Sequence, residues 1–140
     1  MMLKIRQMMA CRSGAAIIEF ALLAPIFIAM LIGLIEFSRL LWTRHTLDEV
    51  AYSTSRCMSM DSVCDTDAKA KAFAKNRARG LGVAILEADV TPQDGTSCRQ
   101  LLNANEVTIE IEFNSPLMSF VPGMSGEIIS EGCYPVLGSD

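Results

Sequence analysis

Arg12-Ser13-Gly14-Ala15-Ala16-Ile17-Ile18-Glu19-Phe20 joins a short basic leader to a long apolar run. Between Ala15 and Ile35, Glu19 is the only charged residue. A helix rising 1.5 Å per residue over that run would be about 31 Å long, which is enough to cross the hydrocarbon core of a bilayer. The sequence therefore predicts a membrane-spanning helix near the N-terminus, with one carboxylate at its beginning.

The carboxylate of Glu19 has two interpretations. Near the beginning of the run its side chain can reach the lipid headgroups, which removes most of the roughly 2.5–3.5 kcal/mol that an acid costs at mid-bilayer. Alternatively, a peptidase cuts after Gly14, and Ala15 becomes a new N-terminus whose free amine lies one helical turn from Glu19 on the same face. In an assembly of such helices, the amine of one subunit would neutralise the glutamate of a neighbour.

Length and charge limit the function classes. A chain of 140 residues has room for one membrane anchor and one small domain. Residues 40–140 carry eight basic and fourteen acidic side chains, so this distal part is acidic. Nucleic-acid binding is not expected, because it requires a basic surface. The single histidine, His45, lies on a helical stretch and is interpreted as a surface residue, so no catalytic set and no cofactor are predicted.

Cysteine usage gives the orientation that the basic residues leave open, since arginines and lysines lie on both sides of the apolar run. One cysteine, Cys11, is in the leader. The other four lie beyond the run: Cys57, Cys64, Cys98 and Cys133. Four cysteines in a small soluble part indicate two disulfides in an oxidising compartment. We therefore expect a cytoplasmic leader and a periplasmic head.

Four cysteines allow three pairings, and the sequence does not select one. We favour Cys57 with Cys64, closing the loop after the long helix, and Cys98 with Cys133, tying the last strand to the loop before the sheet. Zinc binding is the alternative. It is disfavoured because structural zinc sites use ligand pairs two to four residues apart, and six residues separate Cys57 from Cys64.

Hydrophobic periodicity predicts one long helix over 15–57, whose outer half carries an amphipathic stripe: Leu47, Val50, Ala51, Thr54 and Met58. The alternative is a break at Glu36 followed by a separate helix. A polar loop over 60–67 and a second helix over 67–86 follow.

The remaining third of the chain is predicted to form a loop and two strands. Turn residues predict a loop over Thr91-Pro92-Gln93-Asp94-Gly95. Alternating apolar residues predict a strand over 106–113, and a strand over 127–134 is expected to pair with it antiparallel. The fold class is therefore α+β, with a transmembrane helix extending into a small head made of a second helix and a short antiparallel sheet.

The segment from Arg12 to Pro25 resembles the beginning of the TadE-like family, the minor pseudopilins of the tight-adherence (Flp) pilus machinery. The resemblance is carried by the glycine before the cut, by the pair Glu19 and Phe20, and by the proline six residues later. Ile35-Glu36-Phe37-Ser38-Arg39-Leu40-Leu41 is also similar to the family's stretch at the outer end of the anchor. The Glu-Phe-Ala-Leu run favours a TadE-like over a TadF-like protein without separating the two.

The resemblance implies a pilin-like subunit that is itself not an enzyme. A prepilin peptidase would remove residues 1–14, leaving an anchor over 15–57 and a head over 58–140. The residues implied in processing and assembly are Gly14, Ala15, Glu19 and Phe20. The implied partners are that peptidase, other pilin and pseudopilin subunits, the inner-membrane assembly platform and membrane lipid.

Two other functions remain open. In the first, Gly14 is never cut, and the chain is a single-pass membrane protein whose periplasmic head binds a ligand or partner. In the second, the head docks on a catalytic subunit as an accessory protein, independently of pilins.

Overall fold

The computed structural model describes residues 12–60, 62–115 and 126–136. Helices α1 and α2 span Arg12–Met60 and Asp67–Gly80, and short 3₁₀ turns occupy Ser62–Cys64 and Glu87–Asp89. The strands are β1 (Val90–Cys98), β2 (Leu101–Glu112) and β3 (Glu127–Pro135). The predicted α+β architecture, with a long apolar N-terminal helix, a second helix and an antiparallel sheet, is confirmed. Helix α1 is continuous through Glu36, so the alternative with a break there is wrong.

The first compact unit ends at Ser38 and contains the apolar part of α1. Large apolar side chains there are exposed, including Phe20 at 74% and Ile26 at 69%. The most apolar window of this helix has a mean hydropathy of 2.5, and none of it is buried. A surface this apolar needs lipid or other chains around it. This one N-terminal apolar helix indicates a single-pass membrane protein.

The second unit begins at Arg39 and includes the outer part of α1, which packs on the inner face of the sheet. Four residues of the predicted amphipathic stripe are buried, and Met58 is half-buried beside them. Helix α2 contributes Ala74 and Ala78 to the same core, and the sheet contributes Val107 and Ile109. The stripe is therefore confirmed as the face through which α1 contacts the head.

The sheet has the order β1-β2-β3, and both pairings are antiparallel. The predicted pairing of the last two strands is confirmed, with Thr108 opposite Glu131 at its centre. The loop predicted over residues 91–95 is wrong, because those residues belong to β1. Turn-forming residues are tolerated there because β1 is an edge strand.

Pro92 shows why a strand forms in this turn-rich segment. Two flanking backbone hydrogen bonds, Phe113 N to Gly126 O (2.6 Å) and Val136 N to Asn103 O (3.0 Å), show that odd-numbered residues of β2 bond towards β3. Since Pro92 lies opposite an odd-numbered residue, Val107, its nitrogen faces the free edge. The missing N–H therefore removes no bond from the ladder.

Helix α2 ends at Gly80, six residues before the predicted end at Leu86. Val83 N donates to Ala78 O (3.0 Å) and Gly82 N donates to Arg79 O (3.1 Å), which is the Schellman arrangement. Gly82 has the positive φ of 82° that this arrangement requires. Because the motif terminates the helix, Val83 and Ile85 enter the core from extended backbone.

Helix α1 approaches the sheet closely at Gly132 in β3. A Cβ atom added to Gly132 would overlap the backbone of Ala51 and Tyr52. Backbone atoms of the helix cannot move aside as a side chain can, so only glycine permits this packing distance.

We expect Gly132→Ala to destabilise the head by about 1–3 kcal/mol or more, because α1 must move away from β3 to make room. Thermal unfolding of the full chain in detergent, followed by the fluorescence of Trp42, would measure the loss. Gly80→Ala is the matched control, since a Cβ there meets nothing within 4 Å. Equal melting temperatures for the two variants would contradict the packing argument.

Candidate functional site

The predicted processing junction lies within the first turns of α1. The backbone of Gly14 and Ala15 is helical, and Glu19 and Phe20 follow on the next turn with exposed side chains. Because one helical turn separates residues 15 and 19, an amine created at Ala15 would lie on the face that carries Glu19. The structure thus places the four predicted residues on consecutive turns of one helix.

Glu19 forms no ion pair or hydrogen bond with any side chain that the structure describes. Its neighbours Ile17, Ile18 and Phe20 are each at least 64% exposed. A carboxylate in such apolar surroundings needs water, a lipid headgroup or a cation from another molecule. No basic side chain among the described residues of this chain pairs with the Glu19 carboxylate.

Polar contacts attach the head to the outer part of α1. Ser130 Oγ donates to Asp48 Oδ1 at 2.5 Å, and Asn105 Nδ2 donates to Ser59 Oγ at 3.0 Å. Between them, the aromatic rings of Tyr52 and Tyr134 meet edge-on with centroids 6.0 Å apart. These contacts hold β2 and β3 against the outer part of the helix.

Two disulfides close the head. Cys57 at the end of α1 bonds to Cys64 with a Cα–Cα distance of 5.7 Å, and Cys98 bonds to Cys133 with a Cα–Cα distance of 6.0 Å. This is the pairing favoured from the sequence. With all four distal cysteines in disulfides, none of them offers a thiolate to a metal. The fifth cysteine, Cys11, lies outside the described residues.

The outer face of the sheet is acidic. It carries five glutamates, all from β2 and β3: Glu106, Glu110, Glu112, Glu127 and Glu131. A side-chain hydrogen bond and charge repulsion from Glu127, together with slight desolvation, raise the pKa of Glu110. Protonation of Glu110 removes its repulsion with the Glu127 carboxylate, which is why the pKa rises.

The comparisons with known proteins bear on the anchor. Residues 14–56 match the family model described as TadE-like protein. This segment of 43 residues is similar to the TadE-like family. The resemblance inferred from the sequence is thus confirmed over the anchor and the outer part of α1. No curated protein and no solved structure gives a significant match to the chain.

The residues predicted from the sequence to be functional fall into two groups, the processing residues and the distal cysteines. The structure places the processing residues together on α1, and it brings the four distal cysteines into two pairs. Sequence reasoning missed Gly132 and the contact between Glu110 and Glu127. The alternation of β2 indicated an acidic face, but the approach of Glu127 depends on the strand register.

We expect Glu110→Gln to raise the melting temperature of the head slightly at neutral pH. Since the folded state raises the pKa of Glu110, this group favours folding when protonated and opposes it as pH rises through the raised pKa. The gain should therefore disappear below the ordinary pKa of 4.5. Thermal unfolding across a pH series checks this. The control is Glu106→Gln, which removes a carboxylate from the same face of β2 at a position opposite Cys133. A gain independent of pH would contradict the assignment.

The two disulfides should stabilise the head unequally. They close loops with sequence separations of 7 and 35 residues, for which chain entropy predicts about 2.5 and about 3.8 kcal/mol. Replacing Cys98 and Cys133 by serine should therefore lower the free energy of unfolding more than replacing Cys57 and Cys64. Denaturant unfolding of both double variants measures the order, and a reversed order would show that strain or unfolded-state structure decides instead.

Proposed function

We propose that the chain is a TadE-like minor pseudopilin, a membrane-anchored assembly subunit of a tight-adherence pilus or secretion system. The observation that carries the proposal is the family match over residues 14–56, which begins at the glycine of the predicted cut. The single apolar helix and the disulfide-bonded head are consistent with a pilin-like subunit. In this proposal the chain is a substrate of a prepilin peptidase and has no catalytic activity of its own.

The proposed orientation has the leader in the cytoplasm and the head in the periplasm, anchored in the inner membrane. The disulfides support this orientation, because both lie in the head and need an oxidising compartment. After the cut, the amine of Ala15 on one subunit would pair with Glu19 on a neighbour. Pilin and pseudopilin subunits, the assembly platform and lipid are the partners that this model requires.

Processing is tested by the intact mass of the protein extracted from membranes of its own host. We expect the mass of residues 15–140, and reduction should add four hydrogens, two for each disulfide. Gly14→Leu should restore the full-length mass. Gly33→Leu is the matched control, since Gly33 lies on the same helix with open space around it and away from the junction.

A full-length mass in a host with the complete pilus machinery would contradict the proposal. It would leave the unprocessed single-pass protein with a periplasmic binding head. A cut chain that co-purifies with no pilin subunit would contradict the assembly role while keeping the processing step.

Glu19→Gln separates processing from assembly. The variant should still be cut, because the glutamate lies five residues beyond the scissile bond, but it should lose co-isolation with pilin subunits after crosslinking. Glu36→Gln is the control, a carboxylate on the same helix 17 residues beyond Glu19, which is nearly five turns. Loss of co-isolation in both variants would show a general effect of removing charge.

A further inference from the structure

The two free edges of the sheet differ in their ability to accept another strand. Along β1, Pro92 has no N–H, and register shifts on both sides of Thr96 interrupt the ladder. Gly95, with its positive φ of 61°, lies in the first of these irregularities. Prolines and bulges are common devices that prevent an edge from pairing with another chain. The β1 edge is therefore blocked.

The β3 edge has no register shift and no residue with a positive φ, and its one proline, Pro135, is the last residue of the strand. Its nine pairs with β2 run from Glu127 to Pro135 without a register shift. The bond from Phe113 N to Gly126 O shows that even-numbered residues of β3 point their backbone groups towards β2. The odd-numbered residues therefore point their N–H and C=O groups away from the sheet.

This outward row comprises Glu127, Ile129, Glu131 and Cys133. Among the described residues, one side chain bonds to it: Arg99 Nη2 donates to the carbonyl oxygen of Glu131 at 3.3 Å. The outward N–H groups have no partner within residues 12–60, 62–115 and 126–136. The row is a regular template for main-chain hydrogen bonds.

A groove follows the same edge. It is lined by Arg44, Asp48 and Tyr52 of α1, by Arg99, Gln100 and Leu101 at the β1–β2 turn, and by residues 129–133 of β3, and its volume is about 1150 Å³. A paired strand would lie about 4.8 Å from β3, which is within this groove. Ile129, at the beginning of the β3 stretch that lines the groove, is 51% exposed, and Leu101 is 39% exposed. The groove thus combines unpaired backbone with exposed apolar side chains.

The charges disfavour a second copy of this chain as the occupant. On the outer face, Ile129 lies between Glu127 and Glu131. Antiparallel pairing of two copies centred on Ile129 would place Glu127 of each opposite Glu131 of the other. Like charges directly opposite each other destabilise a strand pair. A strand with basic residues at the same two positions would instead be attracted by both carboxylates. The attraction to Glu131 is reduced by Arg99, whose guanidinium bonds to the Glu131 carbonyl oxygen.

We propose that the β3 edge docks an extended segment of another protein, which adds to the sheet as a fourth strand. The segment carries lysine or arginine at two positions four residues apart, with an apolar residue midway over Ile129. Main-chain hydrogen bonds to the outward row supply binding, and Glu127 and Glu131 select the basic partner. This inference concerns the head and does not depend on processing at Gly14.

The test uses the full chain in detergent micelles and the peptide Ser-Thr-Lys-Thr-Val-Thr-Lys-Thr-Ser at millimolar concentration. Residue-resolved amide hydrogen exchange should slow at Ile129 and Cys133, and exchange at Val90 on the blocked edge should not change. The matched peptide with glutamates in place of both lysines should bind about tenfold more weakly or less. Absence of slowed exchange at the β3 edge would overturn the proposal.

Charge reversal distinguishes strand docking from general attraction to an acidic protein. Glu127→Lys combined with Glu131→Lys should exchange the preference, so that the glutamate peptide binds better. Asp94→Lys combined with Glu106→Lys makes the same change in net charge away from the edge and should keep the original preference. If both double variants change alike, binding follows net charge, and the proposed edge is not the site.

A single substitution tests why copies do not pair. In Glu131→Lys, each Glu127 would face an introduced lysine across a β3–β3 pair, so the variant should dimerise in analytical ultracentrifugation while the unmodified chain stays monomeric. A dimeric unmodified chain would overturn the choice of a different protein as partner. A monomeric variant would overturn the role assigned to the two glutamates.

Discussion

The close approach of α1 to β3 at Gly132 is the constraint on which the rest of the head depends. Because Gly132 has no Cβ, the backbone of α1 at Ala51 and Tyr52 lies directly over the strand. Asp48 then reaches Ser130, and the ring of Tyr52 meets that of Tyr134. Because β3 is held under the helix in this way, its far edge runs beside α1 and forms one wall of the groove.

The head is small, and covalent links supplement its core. Its buried side chains are mostly alanine, valine and isoleucine, which bury little area each. One disulfide ties Cys64 to the end of α1, and the other ties the β1–β2 turn region to Cys133 in β3. The second link joins the two edge strands across the central strand, so it opposes separation of the sheet.

Two sets of carboxylates lie outside this core, and they differ in their surroundings. Among the described side chains, the neighbours of Glu19 are exposed and apolar, and a charge in such surroundings is costly without a cation beside it. Glu127 and Glu131 lie on a hydrated strand edge beside unpaired backbone groups. The first therefore suits a buried pairing between helices in lipid, and the others suit selection of a basic strand in water.

The amino-acid sequence by itself determined the elements whose signal is local. A charge-poor run predicts the anchor, a stripe at helical spacing predicts the packed face of α1, and alternation over 106–113 predicts β2. Family resemblance added the expectation of a processing junction at Gly14, which stays a prediction. These features depend on residues within a few turns or positions of one another, so the chain shows them without its fold.

Tertiary structure alone decided the rest. The turn residues of segment 91–95 form a strand because an unoccupied edge of β2 pairs with them, and Pro92 happens to direct its nitrogen outward. The special role of Gly132 comes from a helix eighty residues earlier in the chain. The contact of Glu110 with Glu127 requires the β2–β3 register. Each depends on contacts between distant segments, which no local pattern of residues encodes.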